Sequence, residues 1–228
     1  VKHWRYLLRQ LSEKEINAIL MFLGIAIASS FFLGVYDYWF LRISAPSEGG
    51  IYSEGIIGEP RYINPALASV SEVDRDLTTL VFSGLVKHNE AGEIIPDLAE
   101  SYEVRDNGKT YEFKLREGLT WPDKEKLTTN DVVFTINLIK DSKFQSPLRN
   151  NWQGVRIEKI DEFRFLIKLP VANEPFLENA TLGIMPKHIW ENISPEEFPF
   201  SPYNTEPIGS GPYRINSISK NTNLKIKY

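Results

Sequence analysis

The 228-residue chain contains no cysteine, which removes disulfides, zinc–thiolate sites, thiol nucleophiles and a lipid-modified cysteine together. Histidine is scarce as well. His3, His88 and His188 lie far apart in the chain, so a histidine-built metal site is not expected. Glycines are present, but in neither G-x-x-x-x-G-K-[ST] nor G-x-G-x-x-G order, which excludes the common phosphate-binding loops. The G-x-S-x-G pattern is missing too. Gly209-Ser210-Gly211 is followed by Pro212, which would spoil the strand-turn-helix elbow of a nucleophilic serine. No basic stripe with interleaved aromatics occurs and the formal net charge is −4, so nucleic acid is not an expected partner. Two carboxylate pairs are available, Asp97 with Glu100 and Glu158 with Asp161. Each falls at a strand edge or turn, where solvated carboxylates are routine. No catalytic constellation and no cofactor site remain, which favours binding over catalysis.

What the chain has in abundance is one uncharged run, the 21 residues from Ile16 to Tyr36. As a helix this run is roughly 30 Å long, about the thickness of a bilayer's hydrocarbon core. Lys2, Arg5, Arg9 and Lys14 precede it, and Tyr36, Tyr38, Trp39 and Phe40 crowd its far end. Basic residues before a span and an aromatic belt after it predict a cytoplasmic N-terminus (1–15), an anchor (16–36) and an extracytoplasmic remainder. The competing readings are a signal peptide cleaved after Ala26-Ile27-Ala28 and a buried core helix. The apolar run continues past Ala28 through Val35, further than a signal peptide requires. Residues 37–49, rich in Ser, Pro and Gly, read as a linker.

Beyond the linker the pattern is that of an α/β domain. Gly50 to Ile57 is strand-like, and Gly58 to Pro65 is a loop held extended by its prolines. A helix capped near Ser71, with Asp74 in its first turn, follows; its apolar face is Val73, Leu77, Leu80 and Val81. Gly84 ends it and Leu85-Val86 begins a strand. Tyr102 and Val104, then Tyr111, Phe113 and Leu115, alternate with polar residues around Asp106-Asn107-Gly108, the mark of a hairpin with a positive-φ turn. Thr128 caps a helix whose apolar face is Val132, Val133, Ile136 and Ile139. A second hairpin turns at Ile160-Asp161-Glu162. Pro175, Pro186 and Pro195 each open a short helix. Tyr213–Ile218 and Leu224–Tyr228 read as two strands. His88 is read as a surface residue, whereas Trp121 and Trp152 suit either packing or a ligand platform. A first residue that is not Met, and an apolar strand pattern still running at Tyr228, lead us to expect that the natural protein extends beyond this sequence.

Five blocks, in register, resemble the family-5 extracellular solute-binding proteins, the oligopeptide and dipeptide receptors of ABC importers. They are Glu59-Pro60 through Ile63-Asn64-Pro65-Ala66 with Leu80–Leu85; Ile95–Tyr102; Tyr111–Gly118 with Trp121; Asn130–Thr135; and Pro207–Tyr213. The resemblance runs from about Gly55 to Tyr228. It implies a type II periplasmic-binding-protein fold of the peptide-binding cluster. This chain would supply one lobe, with core segments 50–84 and 205–228 and an inserted subdomain, 85–204, preceded by one transmembrane helix. It further implies a monomer without cofactor that hands a peptide or other small solute to ABC permease subunits. The acidic residue that holds a peptide's amino terminus in similar proteins would belong to a later lobe. The resemblance places ligand contacts at Ala68, Ser69, Val70, Ser71, Glu72 and Asp74, and at Asn151 and Trp152. Two departures stand out. Lys124-Glu125-Lys126 replaces the usual glycine and proline after the tryptophan-loop aspartate, and the lipid-bearing cysteine is missing. Two other functions remain open at this point: a sensor or adhesion ectodomain, and a hydrolase with its site in a missing half.

Overall fold

The computed structural model describes residues 12–36, 49–51, 53, 55–173 and 175–219. Two units are separable, Val1–Glu54 and Gly55–Tyr228. In the first, helix α1 covers Glu13–Tyr36. It begins three residues before the uncharged run because Ser12 and Glu15 close a capping box. The Ser12 N–H donates to the Glu15 carboxylate at 2.7 Å and the Glu15 N–H returns to Ser12 Oγ at 3.4 Å. None of its side chains is buried, so its apolar surface is long enough to cross a membrane and has no protein cover. The basic residues Lys2, Arg5 and Arg9, the aromatics Tyr38 to Phe40 and nearly all of the linker lie outside the described residues.

In the second unit helix α2, Glu72–Val81, starts as the sequence indicates, with Ser71 Oγ accepting the Asp74 N–H at 3.4 Å. Strands β1 (Val86–His88) and β2 (Ile94–Pro96) form a small ribbon. A four-stranded antiparallel sheet follows in the order β3-β4-β6-β5, from β3 (Ala99–Arg105), β4 (Thr110–Leu115), β5 (Arg156–Lys159) and β6 (Arg164–Lys168). The two predicted hairpins are thus joined through their second arms, with Phe113 opposite Phe165 and Tyr111 opposite Ile167. Asp106 and Asn107 (φ 52° and 53°) and Gly108 (φ 83°) make the first turn. The Asp161 carboxylate accepts from the N–H groups of Phe163 and Arg164 and makes the second.

Tyr111, Phe113, Phe165 and Ile167 bury one sheet face, and helix α3 (Thr129–Lys140) adds Val132, Ile136 and Ile139 to the same core. Thr128 caps α3 as predicted, and the Asp131 carboxylate accepts from the backbone N–H of Thr128 at 2.8 Å. It also accepts the Lys187 N–H at 2.9 Å, which fastens the start of α3 to helix α5 (Lys187–Trp190). Burial raises the Asp131 carboxyl above its usual range, against the pull of those two N–H groups. The short helix α4, Phe176–Asn179, closes the core. Both tryptophans resolve to packing. Trp121 is 1% exposed and Trp152 2% exposed, and the Trp152 ring meets Phe176 edge-on at 5.4 Å.

Three expected elements differ. Gly50–Ile57 forms no strand among the described residues, because no segment pairs with it; Ile57 is 97% exposed. Tyr213–Ile218 is extended but pairs with no strand. Instead the Gly211 N–H donates to the Val81 carbonyl at 2.7 Å and the Tyr213 N–H to that of Leu80 at 3.2 Å. The return segment therefore caps the end of α2, and its intended partner, Leu224–Tyr228, lies outside the described residues. Pro195 opens a turn, and the helical hydrogen bonding starts later, as a 3-10 turn at Phe198–Phe200. Pro175 and Pro186 stand one position before their helices as N-caps.

Two positions show how closely the backbone is fitted. A Cβ on Gly209 would lie 2.1 Å from the Val81 carbonyl oxygen, so only glycine lets the return segment touch α2. In the tryptophan loop, Lys124 adopts φ 75°, a conformation that suits the glycine found there in similar proteins. The loop is nonetheless closed. The Trp121 N–H donates to the Glu125 carbonyl at 2.8 Å, and His188 Nε2 lies 2.7 Å from Asp123 Oδ2. Burial alone would raise the Asp123 carboxyl, but His188 and the Glu125 N–H hold it below its usual range.

We expect Gly209→Ala to lower unfolding free energy by about 2 kcal/mol or more in urea titration, as overpacking against backbone does; a change below about 0.5 kcal/mol would contradict the close contact. Lys124→Gly is expected to act oppositely, raising stability by about 0.5–1 kcal/mol, since the left-handed strain of a non-glycine residue exceeds glycine's extra chain entropy. A lowered urea midpoint for this variant would refute the strain at Lys124.

Candidate functional site

Three chain segments meet around an open groove of about 480 Å³ in the second unit. Tyr62, Leu67 and Val70 form the first wall. The second comes from the segment after α3 and includes Lys143, Phe144 and Pro147. Pro195, Glu196 and Pro199 form the third. The walls are far apart in sequence, so particular bonds must hold them in place.

The first and third are joined by two buried amides. Asn64, fully buried, donates from Nδ2 to Asn204 Oδ1 at 2.9 Å, and its own Oδ1 accepts the Ala66 N–H at 2.9 Å. Asn204 in turn donates to the Phe198 carbonyl at 2.8 Å, while its carbonyl accepts the Ile63 N–H at 2.7 Å. The second wall is fixed to the first by Ser146, which is buried and donates from Oγ to the Ala66 carbonyl at 2.6 Å. It is fixed to the third by an edge-on contact of Phe144 with Phe198, ring centres 5.1 Å apart. Asp141 starts the Ser142–Phe144 turn by accepting the Lys143 N–H at 3.0 Å, and Gln145, at φ 51°, ends it. Every polar atom named in this frame has a partner, as a rigid scaffold demands.

The sequence-predicted contact residues divide around this groove. Val70, 77% exposed, lines it. Ala68 and Asp74 are buried, and the Asp74 carboxylate accepts the Arg61 N–H at 2.8 Å, which orders the loop leading to α2. Ser71 is committed to capping α2, and Glu72 is exposed on its first turn. The Ser69 hydroxyl is buried without a hydrogen-bond partner among the described residues. Asn151 is exposed, Trp152 sits in the core, and neither lines the groove. What lies beside the first wall is the earlier part of the same loop, Lys143 to Pro147. Its visible signals are the Asp141 cap and the Ser146-Pro147 step, which ends the turn and extends the chain. The third wall was legible only as a proline-led turn.

Chemically the groove is an apolar trough with two charged side chains. It has no nucleophile–base pair, and its ring and proline surfaces suit contact with a ligand's apolar parts.

The residues 93–227 match the family described as "Bacterial extracellular solute-binding proteins, family 5 Middle". Among curated relatives, the oligopeptide-binding protein AppA of Bacillus subtilis is 30% identical over 186 residues, covering 80% of this chain and 34% of AppA. Protein XP55 of Streptomyces lividans is 33% identical over 174 residues, covering 75% of this chain and 30% of its own. Among solved structures, AppA of Bacillus subtilis in complex with a nonapeptide superimposes with a TM-score of 0.67 at 28% identity, covering 72% of this chain and 33% of AppA. NikZ of Campylobacter jejuni in complex with Ni(L-His) gives 0.64 at 34% identity, covering 72% and 32%. The chain thus spans about a third of the length of these relatives. With the family's sequence pattern covering more than half of the chain and its α/β fold reproduced, this protein belongs to the bacterial extracellular solute-binding proteins of family 5.

Proposed function

We propose that this chain is the N-terminal part of a receptor that captures short peptides outside the cytoplasm and delivers them to the permease of an ABC importer. The observation that carries this reading is the groove itself. It is an apolar trough whose walls are set by satisfied hydrogen bonds, so little ordering cost falls on ligand binding. Relatives support the ligand class: AppA is named an oligopeptide-binding protein and is seen with a nonapeptide. NikZ, at similar structural likeness, holds a nickel–histidine complex, so amino-acid-derived solutes belong to the same range. Peptides held through their main chain tolerate many side chains.

In this reading residues 50–84 and 205–228 belong to the lobe's core and 85–204 to its inserted subdomain. Ser69, Val70, Ser71 and Glu72 reach the ligand, with Ala68 and Asp74 fixing their loop. Asn151 approaches it from the subdomain, and Trp152 supports that approach through its packing on Phe176. The protein acts as a monomer beside its permease, tethered by α1 in place of a lipidated cysteine.

Native mass spectrometry of the full-length protein tests the ligand class. We expect co-purified short peptides; a protein free of them, and giving no calorimetric heat with peptide pools, would overturn the reading. Membrane fractionation tests the tether. The protein should stay with membranes in high salt and leave them only in detergent, whereas a soluble mature form starting at Ser29 would refute an anchoring role for α1.

A further inference from the structure

The charged side chains around the groove are mostly committed. Asp141 caps the Ser142–Phe144 turn, Arg149 donates to the Lys140 carbonyl at 3.1 Å, and Glu197 accepts from the backbone and hydroxyl of Ser194 at 3.3 and 3.0 Å. Lys140 donates to the Val155 carbonyl. Two charges on the walls are different. Lys143, on the second wall, and Glu196, on the third, line the groove and make no ion pair among the described residues, with each other or with any neighbour. Between them lie Leu67, Phe144, Pro147, Pro195 and Pro199, which offer no charge.

Building on the peptide-receptor reading, we propose that Lys143 and Glu196 are specificity-determining residues that select dipolar ligands. Lys143 accepts a ligand carboxylate, Glu196 accepts a ligand ammonium, and the apolar surface between them takes the intervening atoms. Ligand binding withdraws groove groups from water, and a charge left unpaired then carries a desolvation cost. A neutral apolar ligand would leave both charges unpaired. A dianion would meet Glu196 and a dication would meet Lys143, so like-charge repulsion excludes each. A short peptide with both termini free satisfies the two side chains at once. The selection therefore falls on the ligand's ends and leaves its side chains free to vary.

The test is calorimetry on the full-length protein with a mixture of alanine tri- to hexapeptides, used with free ends, C-amidated, or N-acetylated. Lys143→Gln should weaken binding of the free peptides about tenfold, the loss typical of one charge-assisted hydrogen bond, and leave the amidated peptides within about twofold of wild type. Glu196→Gln should show the mirror pattern with the acetylated peptides. Far-ultraviolet circular dichroism matching wild type excludes misfolding at these exposed positions. Equal weakening of free and capped peptides by either variant, or no weakening, overturns the inference. So does a wild-type protein that ignores the mixture; in that case the identity of the co-purified ligand decides separately whether the receptor reading stands.

Discussion

Asn64 and Asn204, 140 residues apart, share a buried amide–amide hydrogen bond at 2.9 Å on which the arrangement of the groove depends. A buried amide must find partners for both its donor and its acceptor. Here the partners are the backbone of Ala66, the backbone of Phe198 and the other amide. Satisfying the pair therefore sets the first wall against the third. Losing one member would leave the other's polar atoms unpaired, a penalty of about 1–3 kcal/mol falling on the site itself. Ser146 and the Phe144–Phe198 contact then bring the second wall to a position already fixed.

The division of labour in the molecule follows from this frame. The four-stranded sheet and α3 form a dry core of large side chains, with Phe113 stacked on Phe165 at 5.5 Å. A smaller cluster, Ile63, Val81 and Phe82, holds the loop before α2 to the return segment at Gly209–Gly211. The groove walls are loops and single turns carried by these two cores. Rigid elements presenting short loops are the usual way to place binding groups. Charge is spent sparingly within the groove. Most ion pairs lie on the sheet's exposed surface, such as Arg105 with Glu112 and Lys168 with Glu158, where each contributes little to stability.

Much of the local structure was legible in the residues. The hairpin of β3 and β4 was readable because alternation and Asp106-Asn107-Gly108 agree, and α3 because its Thr128 cap and apolar face agree. Pairing over long distances was not. Nothing in the sequence joins β4 to β6, and Tyr213–Ile218 has a strand's pattern while its N–H groups go to the last turn of α2. The candidate site was half legible. Val70 was found because its loop resembles a ligand-facing one. Trp152 was singled out for being an aromatic in a loop, yet its large apolar area draws it into the core. Lys143, Pro147 and Glu196 carried no local signal, because a groove made from three distant segments leaves no pattern in any one of them.

The family shown by the sequence and fold, the buried amide frame and the apolar groove converge on one physical statement: the three walls bind a ligand as a unit. Hydrogen exchange of the full-length protein, with and without an alanine tetrapeptide, tests this directly. Backbone amides of 67–71, 143–148 and 196–200 should gain protection together at the same ligand concentration, while those of β3 to β6 stay unchanged. Protection confined to one segment, or appearing only away from these walls, would contradict a shared site.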